Sequence, residues 1–311
     1  MFAKLRERMG NVTSSQPKNK TGKKVVAQKI EIAQKTNEHG LDEIPEQVFQ
    51  CTSLKTLDLS KNKLTKLGKI SQLKELKSFN CDENALTSSE LAPLSNLNKL
   101  QSLSLGKNRL ENPTNHQFPS LPSTMKQLKL QGNSLSSIPK QVCSPNMKLL
   151  EKLDLSFNNL AEVPAEICNL VALTELNLDN NMIVSLREEV GQLTKLKTLS
   201  LKNNYIQASN PQAIPASVFQ NTLLIDLNLH GNKLSSTELN AFDGFDAFLE
   251  RRKKVKSKNL FGGALVDMSI DLDLHGNKKL SSTELNAFDG FDAFVERRKK
   301  VKSKNLLEEL S

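Results

Sequence analysis

One pattern, LxxLxLxxNxL, recurs eight times between residues 54 and 234 and limits the possible folds more than any other feature of the chain. The asparagines of successive copies are 22 to 28 residues apart. A repeat of this period indicates stacked supersecondary units, each burying its apolar face against the next. The eight asparagines are Asn62, Asn84, Asn108, Asn133, Asn158, Asn181, Asn204 and Asn232.

The chemistry of the repeat predicts its local structure. In the LxL segment, an extended strand points the leucines inward and the residues beside them toward solvent. Asparagine satisfies backbone groups where the chain turns out of the strand, so the eight asparagines should form a ladder. Between strands, Ile-Pro or Val-Pro recurs at Pro45, Pro139, Pro164 and Pro215, which favours a tight turn over a long helix. We predict an α/β leucine-rich-repeat solenoid, a horseshoe with a parallel concave sheet and helical caps at both ends.

The repeats divide the chain into six predicted segments. A capping-box pattern begins at Ser235, and the apolar residues Leu239, Phe242, Phe245 and Phe248 follow at near-helical spacing. We interpret this as a cap whose phenylalanines cover the last coil, with a basic tail that leaves for solvent. The segments are a basic flexible arm (1–24), an N-terminal cap helix (25–39), the solenoid (40–234), the C-terminal cap helix and basic tail (235–260), a linker (261–270), and a duplicated half repeat and cap (271–311).

The last segment is a near copy of the first cap. Residues 280–306 match residues 234–260 at every position except Val295, which corresponds to Leu249. One end of a stack accommodates one cap, so the second copy is structurally surplus, either docked on the first cap or loose. A recent duplication and two alternative exons joined in the gene model both explain the near-identity.

Charge is concentrated outside the repeats. Residues 1–29 carry eight Lys or Arg against Glu7, and residues 249–260 and 295–306 each carry six against one Glu. The body of the chain, residues 30–248, is nearly neutral, so nucleic acid is not an expected partner of the whole domain. The expected partners are other proteins, and the expected state is a monomer.

Neither an export signal nor a reactive centre is visible in the sequence. The start, MFAKLRERMG, lacks an apolar core, and no stretch reaches the ~18–20 apolar residues of a membrane span. Four dispersed cysteines without CxxC pairs favour a reducing, cytoplasmic location, with Cys81, Cys143 and Cys168 as small core side chains. The histidines are scattered, and no nucleophile, phosphate or metal motif is present. We therefore expect no enzymatic activity, no metal and no cofactor.

The residues beside the inward leucines are the predicted partner-binding face. Its middle is mildly acidic, and Phe157 and Tyr205, beside the asparagine ladder, are the aromatic anchor candidates. The alternative is a merely solvated face, with Phe157 packed at an edge. The candidate set is Asp58, Asn80, Ser104, Lys129, Asp154, Glu175, Asn177, Asp179, Ser200, Lys202, Asn228, Phe157 and Tyr205.

Several segments resemble one group of small repeat proteins. They are Met9-Gly10-Asn11, Ala33-Gln34-Lys35-Thr36, Glu166-Ile167-Cys168-Asn169-Leu170, Gly191-Gln192-Leu193, and the Phe/Asp-rich cap ending in ERRKK. Over residues 9–258 the chain resembles the leucine-rich repeat-containing protein 57 family of intracellular proteins. The resemblance implies a horseshoe adaptor without catalytic residues, whose partners are poorly defined.

The segment from Met9 to Ser14 fits the N-myristoylation pattern M-G-x-x-x-[ST], with Gly10 as the lipidation candidate if translation begins at Met9. A myristoyl chain alone binds membranes only marginally. Lys18, Lys20, Lys23 and Lys24 would add attraction to an anionic membrane surface. The alternative is an incidental motif in a basic arm.

Two functions follow from these patterns. The first is a non-catalytic interaction scaffold used in signalling, cytoplasmic and, if Gly10 is acylated, peripheral to a membrane. The second is a nuclear adaptor whose basic run, Arg251-Arg252-Lys253-Lys254, serves import or contacts nucleic acid.

Overall fold

The computed structural model describes residues 29–31, 40–112, 118–207, 209–234, 236–240 and 242–260. Within these residues, nine strands form one parallel sheet in which the strand order follows the chain order. The strands are β1 (Lys29–Glu31), β2 (Thr56–Asp58), β3 (Ser78–Asn80), β4 (Ser102–Ser104), β5 (Gln127–Lys129), β6 (Lys152–Asp154), β7 (Glu175–Asn177), β8 (Thr198–Ser200) and β9 (Asp226–Asn228).

The register of the sheet repeats from coil to coil. The central residue of each strand pairs with the central residue of the next, as Leu103 does with Leu128 and Leu128 with Leu153. From β2 to β9 these central side chains are buried and their strand neighbours are half-buried or exposed. The stacked leucines form one continuous aliphatic core. The predicted α/β solenoid with a parallel sheet is confirmed.

The start of the sheet corrects one prediction. A cap helix was expected over residues 25–39, but Lys29–Glu31 form β1, which pairs in parallel with β2. The segment from Lys29 to Ile32 alternates polar and β-branched residues, a period of two that favours a strand. A strand here also pairs the backbone edge that β2 would otherwise leave open.

Short helices and turns connect the strands. Four connections use the predicted proline signature, in which the N–H three residues after the proline donates to the proline carbonyl over 2.9 to 3.1 Å. The α-helices α1 (Glu46–Phe49) and α2 (Ala216–Gln220) begin directly after Pro45 and Pro215. The 3-10 helices are η1 (Ile70–Gln72), η2 (Ser88–Asn96), η3 (Pro145–Met147), η4 (Ala165–Asn169) and η5 (Glu188–Gln192).

Helices α3 (Ser236–Leu239) and α4 (Phe245–Leu260) follow the last strand. Phe245 and Phe248 of α4 pack against Phe219 of α2, with ring centroids 5.5 and 6.3 Å from that of Phe219. The phenylalanines of the cap therefore cover the last coil. The basic residues from Arg251 onward continue α4 through Leu260. The prediction that the basic tail leaves the cap for solvent is therefore wrong for the first residues of that tail. Arg251 is the reason, because it is hydrogen bonded to the last repeat.

Several predictions lie outside the described residues. They concern the basic arm with Gly10, the helix start at Ser235, the linker and the duplicated cap. Among the residues that are described, no helix is both long and apolar enough to cross a membrane.

Candidate functional site

The eight repeat asparagines form a hydrogen-bonded ladder along one edge of the sheet. In Asn158, Nδ2 donates to the carbonyls of Leu155 in its own repeat and Leu130 in the previous one, both over 3.0 Å. Its Oδ1 accepts the N–H of Leu135, over 3.1 Å. Each ladder amide thereby satisfies buried backbone groups of two coils and holds the strands in register. The other seven accept an N–H of the preceding coil in the same way.

The residue before each ladder asparagine has a positive φ in all eight repeats. Glycine fills this position at Gly132 and Gly231, and asparagine at Asn180 and Asn203. These residue types adopt the left-handed region at least strain. The fifth repeat instead places Phe157 there, with a φ of 54°.

The solvent-facing residues of β2 to β9 and of the turn just after each strand make up a surface that we call the sheet face. It contains all the candidates of the partner-binding set except Phe157 and Tyr205. Lys129 and Lys152 are exposed, whereas Asp58, Asn80, Ser104, Asp154, Glu175, Asn177, Asp179, Ser200, Lys202 and Asn228 are half-buried. The register brings the candidates into rows that cross neighbouring strands.

Two carboxylates of the sheet face accept a backbone N–H of the next repeat. Asp82 accepts the hydroxyl of Ser104 at 2.7 and 2.9 Å and the N–H of Gly106 at 2.6 Å. Asp179 occupies the same position four repeats later and accepts the N–H of Lys202 at 2.7 Å.

Burial raises the pKa of Asp179 above its usual range, although the hydroxyl of Ser200 and the N–H of Lys202 both favour its charged form. The predicted acidic middle of the face is therefore partly committed to the fold. Asp154 is also hydrogen bonded, within its own repeat, because its carboxylate accepts the N–H and the hydroxyl of Ser156.

Lys152 and Glu175 are the charged side chains of the middle that extend into solvent. They lie at paired positions of β6 and β7 and form an ion pair of 2.6 Å, with each side chain nearly half exposed. An exposed pair of this kind contributes little to stability, so both charges are available to a partner.

The two predicted aromatic anchors lie on the ladder edge, the strip formed by the residues directly before and after each ladder asparagine. Phe157 is 61% exposed and Tyr205 is 50% exposed. Sequence reasoning missed Met182 and Val184, which are 50% and 55% exposed in the repeat between them. Aligning the repeats on their asparagines would have found both, because, Tyr205 apart, the other repeats carry polar or small residues at these positions.

Comparisons with known proteins give the same picture as the geometry. One family model, described as Leucine Rich Repeat, matches residues 53–73. A second model, described as Leucine rich repeat, matches residues 123–183 and 171–215. These matches coincide with strands and ladder asparagines of the sheet. Over these residues the chain is similar to leucine-rich repeats, in agreement with its solenoid fold.

The curated relatives of the chain are much longer than the region they share with it. Toll-like receptor 1 of Homo sapiens is 34% identical over 40% of the chain and 16% of its own length. Osteomodulin of Bos taurus is 41% identical over 27% of the chain and 18% of its own length. Leucine-rich repeat-containing G-protein coupled receptor 4 of Rattus norvegicus is 32% identical over 40% and 13%. The shared region thus spans less than a fifth of each relative.

Solved structures agree with the fold. An internalin, inlF, from Listeria monocytogenes has a TM-score of 0.53 at 20% identity, covering 66% of this chain and 56% of its own. Internalin C2 from the same organism has a TM-score of 0.50 at 23% identity, covering 61% and 78%.

Two cysteines of the chain are core residues. Cys81 and Cys143 are buried, and burial raises the pKa of each thiol to about 12. Cys168, expected in the core, is half-buried. Within the described ranges, no group of three or more His, Cys, Asp or Glu residues has the arrangement of a metal site.

Proposed function

We propose that the chain is a non-catalytic leucine-rich-repeat scaffold that binds other proteins through its sheet face. The observation that carries the proposal is the regular register of β2 to β9, which fixes two polar side chains per strand on one surface. Because the backbone and the ladder already hold these positions, a partner loses little of its binding free energy to ordering them.

The part of the face best suited to recognition is the middle. Lys129, Lys152 and Glu175 are not tied to the backbone of the next repeat, and each extends from a strand into solvent. Asp154 and Asp179 contribute shape and backbone order instead. A partner with complementary charges would therefore bind the pair Lys152–Glu175 and the neighbouring Lys129.

Charge reversal on the sheet face tests this proposal. The full chain carrying Lys129→Glu and Glu175→Lys should lose the proteins that the unchanged chain retains in quantitative affinity purification. Glu166→Lys is the matched control, because Glu166 is exposed on η4, away from the strands. Equal retention by all three proteins would refute binding through the sheet face.

Membership of the leucine-rich repeat-containing protein 57 family and tethering through Gly10 are a finer part of the proposal. They are supported by the Met9-Gly10-Asn11 segment and by Gly191 of the Gly191-Gln192-Leu193 segment. A Cβ at Gly191 would lie only 2.5 Å from Cβ of Ser217, so this position requires glycine. Intact-mass analysis of the native protein tests tethering, since an unmodified start at Met1 would end it.

A nuclear adaptor is the second candidate, supported by the exposed Lys253 and Lys254 of α4. It has less support than the scaffold, because Arg251 of the same basic run is hydrogen bonded to the last repeat. Fractionation of cells that express the chain with and without Gly10→Ala separates the two. A shift from membrane to cytosol supports tethering, and nuclear protein indifferent to Gly10 supports the adaptor.

A further inference from the structure

The ladder edge changes character along the solenoid. The position after each ladder asparagine is polar or small in the first five repeats and becomes Met182 and Tyr205 in the sixth and seventh. The position two residues further on is Ala161 in the fifth repeat and Val184 in the sixth. In chain order the first row is Lys63, Ala85, Arg109, Ser134, Asn159, Met182, Tyr205 and Lys233.

Met182, Val184 and Tyr205 form what we call the apolar patch. The N–H of Met182 donates to Leu160 over 2.8 Å, and the N–H of Tyr205 donates to Ile183 over 2.9 Å, so the residues occupy consecutive rungs. Rungs paired in this way are about 5 Å apart. Ile183 is buried, and Met182 and Val184 on either side of it are each at least half exposed. Three large apolar side chains are thus held at one exposed place by the backbone.

Phe157 lies one repeat before the patch and adds a second observation. Its backbone is in the left-handed region, where other repeats use glycine, asparagine or a charged residue, yet its side chain is 61% exposed. A bulky residue in this conformation costs about 1 kcal/mol or more. Because the ring is mostly exposed, its burial offsets little of this conformational cost. A phenylalanine at this position therefore does not stabilise the fold in any evident way.

The surroundings of the patch define the chemistry of what would cover it. The neighbouring ladder-edge positions carry the amides of Asn159, Asn180 and Asn203, followed by the exposed cation of Lys233. Two acids lie close to the patch in the chain: Asp179, three residues before Met182, accepts the N–H of Lys202 at 2.7 Å, and Glu162 is paired with Arg187 at 2.7 Å. The patch is therefore apolar, rimmed by amides, and bordered at its C-terminal end by the cation of Lys233.

We propose that the apolar patch, with Phe157, binds a short segment of another protein that carries two or three apolar side chains flanked by Asp or Glu. The apolar side chains would cover Met182, Val184 and Tyr205, and the acidic flank would lie toward Lys233. Aromatic side chains in such positions carry a large share of binding energy. This surface is distinct from the sheet face, and the inference holds whether or not the sheet face binds a partner.

The fluorescence of Tyr205 can report binding at the patch directly, because Tyr205 is the one tyrosine of a chain without tryptophan. The test selects ligands for the full chain from a displayed library of random 12-residue peptides that lack Tyr and Trp. Selected peptides are then synthesised with a fluorescein label and measured by anisotropy. In the unlabelled form, they should shield the Tyr205 fluorescence of the unchanged chain from acrylamide.

The matched variant carries Met182→Asn, Val184→Ala and Tyr205→Asn, which are the residues of the fifth repeat at the same positions. It should keep its unfolding transition and bind the peptides at least about 30-fold more weakly. Glu166→Lys, exposed on η4 and outside both surfaces, is the control and should leave their affinity unchanged.

Four results would overturn the proposal. The first is that the selected peptides lack acidic flanks, and the second is that they bind the triple variant as tightly as the unchanged chain. The third is that Tyr205 is already shielded from acrylamide in the free chain, and the fourth is self-association in sedimentation that the triple variant abolishes. The third would mean that another segment of this chain covers the patch. The fourth would mean that a second copy does.

Discussion

The guanidinium of Arg251 on α4 donates to the backbone carbonyl of Leu224 in the last repeat, over 3.1 Å. It also donates to the carbonyls of Phe219 and, within its own helix, Ala247. Burial lowers the pKa of Arg251, yet the group remains charged at any ordinary pH. One cation thereby joins the cap to two carbonyls at the open end of the solenoid.

Arg251→Ala should destabilise the protein by about 2 kcal/mol, because charge-assisted hydrogen bonds are lost and carbonyls near the last coil remain unpaired. Urea unfolding measures the change. Hydrogen exchange should show the loss first in α4 and β9, since the cap protects that end. Lys253→Ala is the control, because Lys253 is exposed on the same helix and pairs only with the exposed Glu250 among the contacts described. Equal stability of the two variants would contradict the anchoring role.

A pair of adjacent asparagines tests the ladder. Asn158 is buried and hydrogen bonded to two coils, whereas Asn159 is exposed. Asn158→Ala should lower the free energy of unfolding by about 3 kcal/mol, because it leaves buried backbone groups of both coils unpaired. Asn159→Ala should stay within about 0.5 kcal/mol of the unchanged chain. A small effect at Asn158 in denaturant titrations would show that water replaces the ladder amide.

Asp179 predicts a pH dependence. Its pKa is raised in the folded state by burial, so its contribution to stability is present below the unfolded pKa of about 3.9 and is lost as pH rises through the raised value. Asp179→Asn keeps an acceptor for the N–H of Lys202 and removes the buried charge. Relative to the unchanged chain, the variant should gain stability as pH rises from 3 to 7, measured by urea unfolding at each pH. A gain that is independent of pH would exclude the charge as the cause.

The fold could be predicted because the repeat encodes it locally. Each LxL segment specifies a strand with its leucines inside, and each asparagine specifies a turn. Eight copies therefore imply the stack, and the ladder of Asn158 and its counterparts follows from the same pattern. The strand at Lys29–Glu31 was missed because its alternation covers only four residues, too few to outweigh a helical interpretation of residues 25–39, and the pairing with β2 that stabilises the strand is not visible in the sequence.

The surface was harder to predict, for two reasons. Whether a carboxylate such as Asp82 is free depends on its distance from Ser104, which lies 22 residues away and becomes its neighbour only through the register. The docking of Arg251 likewise depends on where the carbonyls of another repeat point. Met182 and Val184, in contrast, were readable from the aligned repeats, and a search restricted to aromatic residues overlooked them.

Phe157 provides the last prediction. Phe157→Asn places at this position the residue type of Asn180 and Asn203, which share its positive φ. The variant should be more stable by about 1 kcal/mol, because asparagine tolerates the left-handed region and little buried apolar area is lost with the exposed ring.

Thermal unfolding measures this gain, and Tyr205→Asn is the control, because Tyr205 is similarly exposed but is not among the residues with positive φ. A less stable Phe157→Asn variant would show that the ring packs at the edge and stabilises the fold. If Phe157→Asn is more stable and also binds the selected peptides less tightly, then Phe157 lowers the stability of the fold and strengthens binding at the patch.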